Sequence, residues 1–137
     1  NNKTKEEKGK NLVLNIAAAK AIGDIISTTL GPRSMMKMLM DPMGGIVMTN
    51  DGHAILREID TKHPTAKSII ELVEVDEEIG DGTTSVVLLT GEIMALSKKF
   101  LEENIHPVTI VSGYFKALDS INDILKSIAE SIDTKNE

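Results

Sequence analysis

The chain has 137 residues, 41% of them apolar and 26% charged, which suits one small folded domain or part of a larger one. It contains no cysteine, which excludes disulfides, cysteine-ligated zinc and thiol catalysis. The net charge of −6 argues against nucleic acid as a partner, because phosphate contacts supply most of that affinity. The longest apolar runs are shorter than a membrane span, so we expect a cytoplasmic protein with no membrane partner.

The first half of the chain predicts one long helix followed by short elements. Residues 1–11 are polar and predict a flexible N-terminal arm. Apolar residues then recur at helical spacing from Leu12 until Gly31 and Pro32, which should stop the helix. Residues 34–40 predict one or two further helical turns, and residues 41–45 a turn.

A β-hairpin and three more helices are expected after that turn. The short apolar runs 46–49 and 54–59 flank Asn50-Asp51-Gly52, a combination typical of a β-hairpin. Pro64 is a natural first residue of a helix, and a longer helix should run from Gly82-Thr83 to about Glu103. The last helix is expected from Pro107 to between Ala129 and Ile132. The longer helix carries an apolar stripe (Val86, Leu89, Ile93, Leu96, Phe100), and its first half, residues 86–89, is apolar all round and predicted to be buried. On the last helix, an inward-facing set is predicted (Val111, Phe115, Leu118, Leu125, Ile132).

The sequence Gly80-Asp81-Gly82-Thr83-Thr84-Ser85 is the strongest local signal of chemistry. Backbone N–H groups at a helix N-terminus attract anions, and glycines let a phosphate approach the backbone closely. A carboxylate beside phosphate would repel it unless Asp81 holds a divalent cation that bridges to the phosphates, as Mg²⁺ does. The motif therefore favours a Mg-nucleotide site, although Asp and Thr at a helix start can equally be ordinary caps.

Two further clusters carry weaker signals. Thr28-Thr29-Leu30-Gly31-Pro32 is by itself best explained as a helix stop. Thr49-Asn50-Asp51-Gly52 suits a turn, and it could also present a carboxylate that orients a water for attack on phosphorus. Six methionines lie between residues 35 and 48, and such residues more often fill gaps in a core than bind partners.

Together and in this order, residues 28–35, 49–52 and 80–85 resemble the ATP-site motifs of the group II chaperonins. Residues 41–52, 55–59 and 63–68 look most like the gamma-type subunits of the eukaryotic cytosolic chaperonin. The resemblance extends from Ile16 to about Ile128. It implies a mainly α fold with one small β-hairpin, in which residues 12–132 form the N-terminal half of an equatorial, ATP-binding domain. Residues 133–137 would lead toward an intermediate domain that this sequence lacks.

The resemblance also implies a function and a site. The full-length subunit would hydrolyse Mg-ATP within a double-ring hetero-oligomer and so drive the folding of client proteins such as actin and tubulin. Asp81 would hold Mg²⁺ and Asp51 would help to activate the attacking water. The remaining nucleotide contacts would come from nine further residues, namely Leu30, Gly31, Pro32, Asn50, Gly52, Gly82, Thr83, Thr84 and Ser85. The hairpin around Asp51 resembles the stem-loop by which neighbouring subunits pair strands.

The sequence departs from the chaperonin pattern in two respects. The glutamine that usually precedes the acidic run before Gly80 is absent. The client-binding apical domain, a second catalytic aspartate and the second half of the equatorial domain are also absent, so this chain alone is expected to be inactive. Two alternatives stay open: a non-catalytic helical scaffold or assembly module, and a phosphate-binding domain unrelated to chaperonins.

Overall fold

The computed structural model describes residues 2–40, 43–59, 63–74 and 82–131. These residues form five helices and two strands: α1 (Asn2–Ile26), a 3-10 turn (Ser27–Thr29), β1 (Lys37–Met40), β2 (Ile46–Thr49), α2 (Gly52–Arg57), α3 (Pro64–Glu74), α4 (Thr83–Glu102) and α5 (Pro107–Ile128). The mainly α fold with one small antiparallel sheet is therefore confirmed. The starts of α3, α4 and α5 at Pro64, Thr83 and Pro107 are confirmed as well.

Helix α1 begins ten residues before the predicted start at Leu12. The polar residues 1–11, predicted to be a flexible arm, are helical from Asn2 onward. Lys and Glu are good helix formers, so this segment can extend a helix without contributing to an apolar face. Hydrophobic periodicity detects only the part of a helix that is buried, which is why the predicted boundary was wrong.

The chain divides into two compact units, Asn1–Lys98 and Lys99–Glu137. The core of the first unit is built from apolar side chains of four helices: Ile16, Ala19, Ile22, Ile26, Ile55, Leu56, Ala66, Ile69 and Val87. Ile26, Ile55, Leu56 and Val87 are the largest of its fully buried side chains. The core thus fastens the C-terminal half of α1 to α2, α3 and the first turns of α4.

Most of α1 together with the 3-10 turn after it, Gly9–Thr29, is long and apolar enough to cross a membrane. The expectation that every apolar run is too short is therefore wrong by this criterion. In the structure, however, Ile16, Ala19, Ile22 and Ile26 pack into the core. Core helices of folded domains have the same composition, so the segment is weak support for a membrane span.

The β-hairpin lies earlier in the chain than predicted. β1 pairs with β2 in antiparallel register, with Lys37 opposite Thr49 and Met40 opposite Ile46. Residues 34–40 therefore supply a strand instead of helical turns, and residues 54–59, predicted as the second strand, lie mainly in α2. The physical reason is that Asp51 caps a helix: its Oδ1 accepts a hydrogen bond from the backbone N–H of His53 at 3.2 Å.

The methionines of the hairpin region are exposed, which contradicts their predicted place in the core. Met38, Met48, Met40 and Ile46 share one face of the two-stranded sheet, and they are 59–76% exposed. Met35, Met36 and Met43 are exposed too. Leu39 on the opposite face packs against the core, whereas its cross-strand partner Val47 is 55% exposed, so that face is covered only in part.

The predicted burial at the start of α4 is confirmed for Val87 but not for Val86 and Leu89, and the predicted inward face of α5 is wrong. Val86, Leu89, Ile93, Leu96 and Phe100 are 40–67% exposed, whereas Val87 and Gly91 are the buried residues of α4. The small size of Gly91 brings a neighbouring backbone close, and hydrophobic periodicity gives a glycine no weight. In the second unit, α5 has no buried residue, and its apolar side chains Val111, Phe115, Leu118 and Leu125 are 49–64% exposed. Ile132 lies outside the described residues.

Candidate functional site

Two helices place the first and third sequence clusters at the same level of the first unit. A β-carbon at Gly91 would lie 3.2 Å from the carbonyl oxygen of Ala19, and one at Gly23 would lie 3.9 Å from that of Val87. Ala19 thus lies beside Gly91, and Gly23, four residues later in α1, lies beside Val87, four residues earlier in α4. The two helices therefore run antiparallel. Continuing this register by one turn brings the end of α1 at Ile26 level with the start of α4 at Thr83 and Thr84.

The loop that follows α1 is closed by its own backbone. The N–H of Ser34 donates to the carbonyl of Gly31 at 3.0 Å, and the N–H of Met35 donates to that of Thr28 at 2.8 Å. Gly31 has φ of 91°, a left-handed conformation that other residues adopt only at a cost. Thr29 is buried, and its hydroxyl donates to the carbonyl of Ile26 at 2.6 Å. Leu30, Gly31 and Pro32 are consequently held at the surface, in the expected helix stop.

The second cluster is tied to this loop and begins α2. Asn50 Nδ2 lies 3.3 Å from the hydroxyl of Ser34, within hydrogen-bond distance. The N–H of Asp51 donates to the hydroxyl of Thr49 at 3.1 Å, and the Asp51 carboxylate caps α2. Asp51 is exposed while its position is fixed from both sides. The sequence had suggested that Asp51 lies at the tip of a hairpin, whereas in the structure it lies at the start of a helix.

Gly52 brings the second and third clusters into contact. A β-carbon at Gly52 would lie 3.2 Å from Cβ and 3.4 Å from Cα of Thr84, and it would overlap Oγ1 of the same residue. Gly52 is buried at the first position of α2, and Thr84 is the second residue of α4. Only a residue without a side chain lets these two helix starts approach so closely. The structure thus places residues 50–52 directly beside the N-terminus of α4.

The start of α4 has features of an anion site. Gly82 has φ of 92°, and its carbonyl accepts the hydrogen bond of Val86 at 3.0 Å that opens the helix. A β-carbon at Gly82 or at Gly31 would meet nothing within 4 Å, so the backbone is open to approach at both positions. Thr83, Thr84 and Ser85 are half-buried in the first turn, where the helix dipole favours negative charge. Phosphate oxygens fit this arrangement.

The metal prediction depends on a residue whose position is not described. Asp81 and Gly80 lie outside the described residues. Within residues 2–40, 43–59, 63–74 and 82–131, no three His, Asp or Glu side chains come together as a metal site. A Mg²⁺ ion shared between one carboxylate and bound phosphates needs no such group. The assignment of Mg²⁺ to Asp81 stays a prediction.

The sequence did not reveal a cleft beside Asp51. The cleft has a volume of about 370 Å³ and lies between the hairpin and α2, lined by Leu39, Val47, Asp51, His53, Ala54, Arg57 and Glu58. Arg57 Nη2 lies 3.4 Å from His53 Nε2, one helical turn away. In a helix, residues four apart lie on the same face, so the spacing of His53 and Arg57 could have predicted their contact. It did not, because residues 54–59 were predicted to be a strand.

Comparison with known proteins gives one family. Residues 22–137 match the sequence model of the TCP-1/cpn60 chaperonin family. The chain is 57% identical to T-complex protein 1 subunit gamma of Tetrahymena pyriformis, over all of the chain and 25% of that protein. It is 58% identical to the proteins of the same name from Bos taurus and Homo sapiens, over 97% and 95% of the chain. The predicted resemblance to gamma-type subunits is confirmed, and the chain spans about a quarter of the length of these relatives.

Proposed function

The chain belongs to the TCP-1/cpn60 chaperonin family, and on that basis we propose that it supplies the phosphate- and Mg²⁺-binding part of an ATP-hydrolysing chaperonin subunit. The observation that carries this proposal is the contact of Gly52 with Thr84, which joins two sequence clusters separated by about thirty residues. Neither cluster needs the other to cap its own helix. Their juxtaposition is expected if they share one ligand.

Each group has a role that follows from its place. The first turn of α4, with Thr83, Thr84 and Ser85, offers N–H and hydroxyl donors to phosphate oxygens. The exposed loop at Leu30, Gly31 and Pro32 follows the end of α1, which the helix register places level with that turn, and would also contact the nucleotide. Mg²⁺, held by Asp81, would neutralise charge on the phosphates.

Asp51 is the group proposed to orient the attacking water. Its carboxylate is exposed, and the hydrogen bond from His53 restricts where it points. Phosphoryl transfer depends mainly on positioning and charge stabilisation, so a carboxylate fixed in this way beside the phosphate-binding turn suits the task. Asn50, bonded to Ser34, would hold the loop of the first cluster against the same ligand.

The wider proposal concerns a full-length subunit, about four times as long as this chain if it matches its relatives in length. It would assemble with other subunits into a double ring in the cytoplasm and use ATP to fold clients such as actin and tubulin. The client-binding surface would lie in parts of the subunit outside this chain. The resemblance and the family membership support these points.

The test compares Asp81→Ala and Asp51→Asn with the unchanged full-length protein in its assembled complex. We expect Asp81→Ala to lose this subunit's Mg-ATP turnover, and Asp51→Asn to lose turnover while Mg-ATP still binds. Asn keeps the capping hydrogen bond of α2, so the fold is preserved. Native mass measurement checks that each complex is intact.

A scaffold role is the second candidate, and the exposed apolar face of the hairpin favours it. Met38, Met40, Met48 and Ile46 would serve assembly whether or not nucleotide binds. A scaffold predicts that neither aspartate variant changes turnover in an intact complex. That result would overturn the proposed ATPase function.

A further inference from the structure

The proposed site is assembled from the loop after α1 and the starts of α2 and α4, so its geometry depends in part on how α4 is aligned along α1. The loop at 30–32 follows α1, and the phosphate-binding turn starts α4. Sliding α4 along α1 by one residue would move that turn by about 1.5 Å relative to the loop. A displacement of about 1 Å can reduce the rate of a positioned reaction by up to about a hundredfold.

Gly91 makes a close contact that restricts this alignment. A β-carbon there would lie 3.2 Å from the carbonyl oxygen of Ala19 and 3.7 Å from Cα of Lys20. The nearest atoms belong to the backbone of α1, which cannot rotate away as a side chain can. By contrast, a β-carbon at Gly23 would meet its nearest atoms at 3.9 Å, an ordinary distance. Of the two glycines at this crossing, Gly91 therefore makes the closer approach.

An ion pair links α1 and α4 beside the same contact. Lys20 Nζ lies 2.5 Å from Glu92 Oε1 on α4 and 2.8 Å from Asp24 Oδ1, one turn along α1. Asp24 holds the Lys20 side chain against its own helix, and Glu92 follows Gly91 directly in sequence. The lysine thus links α4 to α1 at the point where Gly91 brings the two backbones close.

We propose that Gly91 and the Lys20–Glu92 ion pair are positioning elements that set the register of α4 on α1, and through it the geometry of the phosphate site. Gly91 lies eight residues after Thr83, about 12 Å along the helix, so neither element touches the bound phosphates. The inference rests on the proposed ATPase function. It adds that contacts where α1 and α4 cross determine the geometry of the phosphate site.

The experiment measures Mg-ATP turnover by the full-length protein in its assembled complex. Turnover due to this chain is the difference between the unchanged complex and one carrying Asp81→Ala. We expect Lys20→Met to lower the resulting kcat by about 3- to 10-fold and to change KM by less than about 2-fold. The melting temperature should change by no more than about 2 °C, because exposed ion pairs contribute little to stability. Lys20→Arg, which keeps the charge, should restore turnover.

Two further comparisons separate positioning from a general loss of stability. Lys20→Met combined with Glu92→Gln should lower kcat no more than either change alone, since both remove the same pair. Gly91→Ala should lower kcat, whereas Gly113→Ala, at a helical glycine with open space around it, should not. If Gly91→Ala fails to assemble, the lysine variants alone decide.

The possible outcomes separate failure of the proposed ATPase function from failure of the positioning role. Equal turnover in the unchanged and Asp81→Ala complexes would overturn the proposed function, and this inference with it. A clear difference between those two complexes, with kcat of Lys20→Met unchanged, would overturn only the positioning role. A fall in activity that simply follows the loss of assembled complex would overturn it as well.

Discussion

Replacing Gly52 by alanine should loosen the junction between the two helix starts that form the candidate site. The added methyl group would overlap Oγ1 of Thr84 and lie 3.2 Å from its Cβ. Rotating the hydroxyl of Thr84 about χ1 would not remove the crowding, because its Cβ and Cα stay at 3.2 and 3.4 Å whichever rotamer it adopts. Gly52 is not among the residues with positive φ, so the backbone itself would accept alanine and the cost is steric.

The size of the effect follows from overpacking at a buried contact. Inserting a methyl group into such a place costs about 1 to 3 kcal/mol, which corresponds to about a 5- to 150-fold change in an equilibrium constant. Local opening of α2 should become more frequent by that factor. Hydrogen exchange followed by mass spectrometry, on a peptide covering residues 52–57 in the full-length protein, measures it directly.

Two variants make this prediction specific. Gly113→Ala adds the same methyl group to an exposed helical position with nothing within 4 Å, and it should leave exchange in residues 52–57 unchanged. Adding Thr84→Ala to Gly52→Ala removes the hydroxyl and should recover part of the lost protection. Unchanged exchange in Gly52→Ala would show that Gly52 and Thr84 are not in contact, and the shared site would lose its main support.

Three other measurements address separate parts of the structure. Asp51→Ala should remove the cap of α2 and lower stability by about 1 kcal/mol, while Asp51→Asn keeps the cap; equal melting temperatures of the two variants would contradict the capping role. The pKa of Lys20 is raised from 10.5 to about 12, first by its hydrogen bond to Asp24 and then by that to Glu92. The stabilisation from these contacts should be complete below pH 10.5 and be lost as pH rises through 12, and a pH–stability profile of Lys20→Met should lack that step. Leu56→Ala, at a fully buried site, should cost about 2 to 5 kcal/mol in denaturant unfolding, whereas Met43→Ala, at a side chain 94% exposed, should cost less than about 0.5 kcal/mol.

Helix starts were the features most readable from the sequence, because the residues that begin a helix act locally. Pro64, Pro107 and the Gly82-Thr83 pair marked three of them correctly, and Gly31 marked the stop after α1. The motifs that carried the family resemblance are equally local, since each consists of a few adjacent residues. The family could therefore be recognised without knowing how the segments pack.

Partners distant in the chain were decided only by the tertiary structure. Residues 46–49 form a strand in either pairing, but the choice of residues 37–40 over 54–59 depended on Asp51 capping a helix. The buried side of α4 was set by the approach of α1 at Gly91, a residue that adds nothing to an apolar stripe. The contact between Gly52 and Thr84 arises in the same way. Whether a position has room only for glycine depends on the atoms that pack around it in the fold, and its neighbours in the sequence do not reveal them.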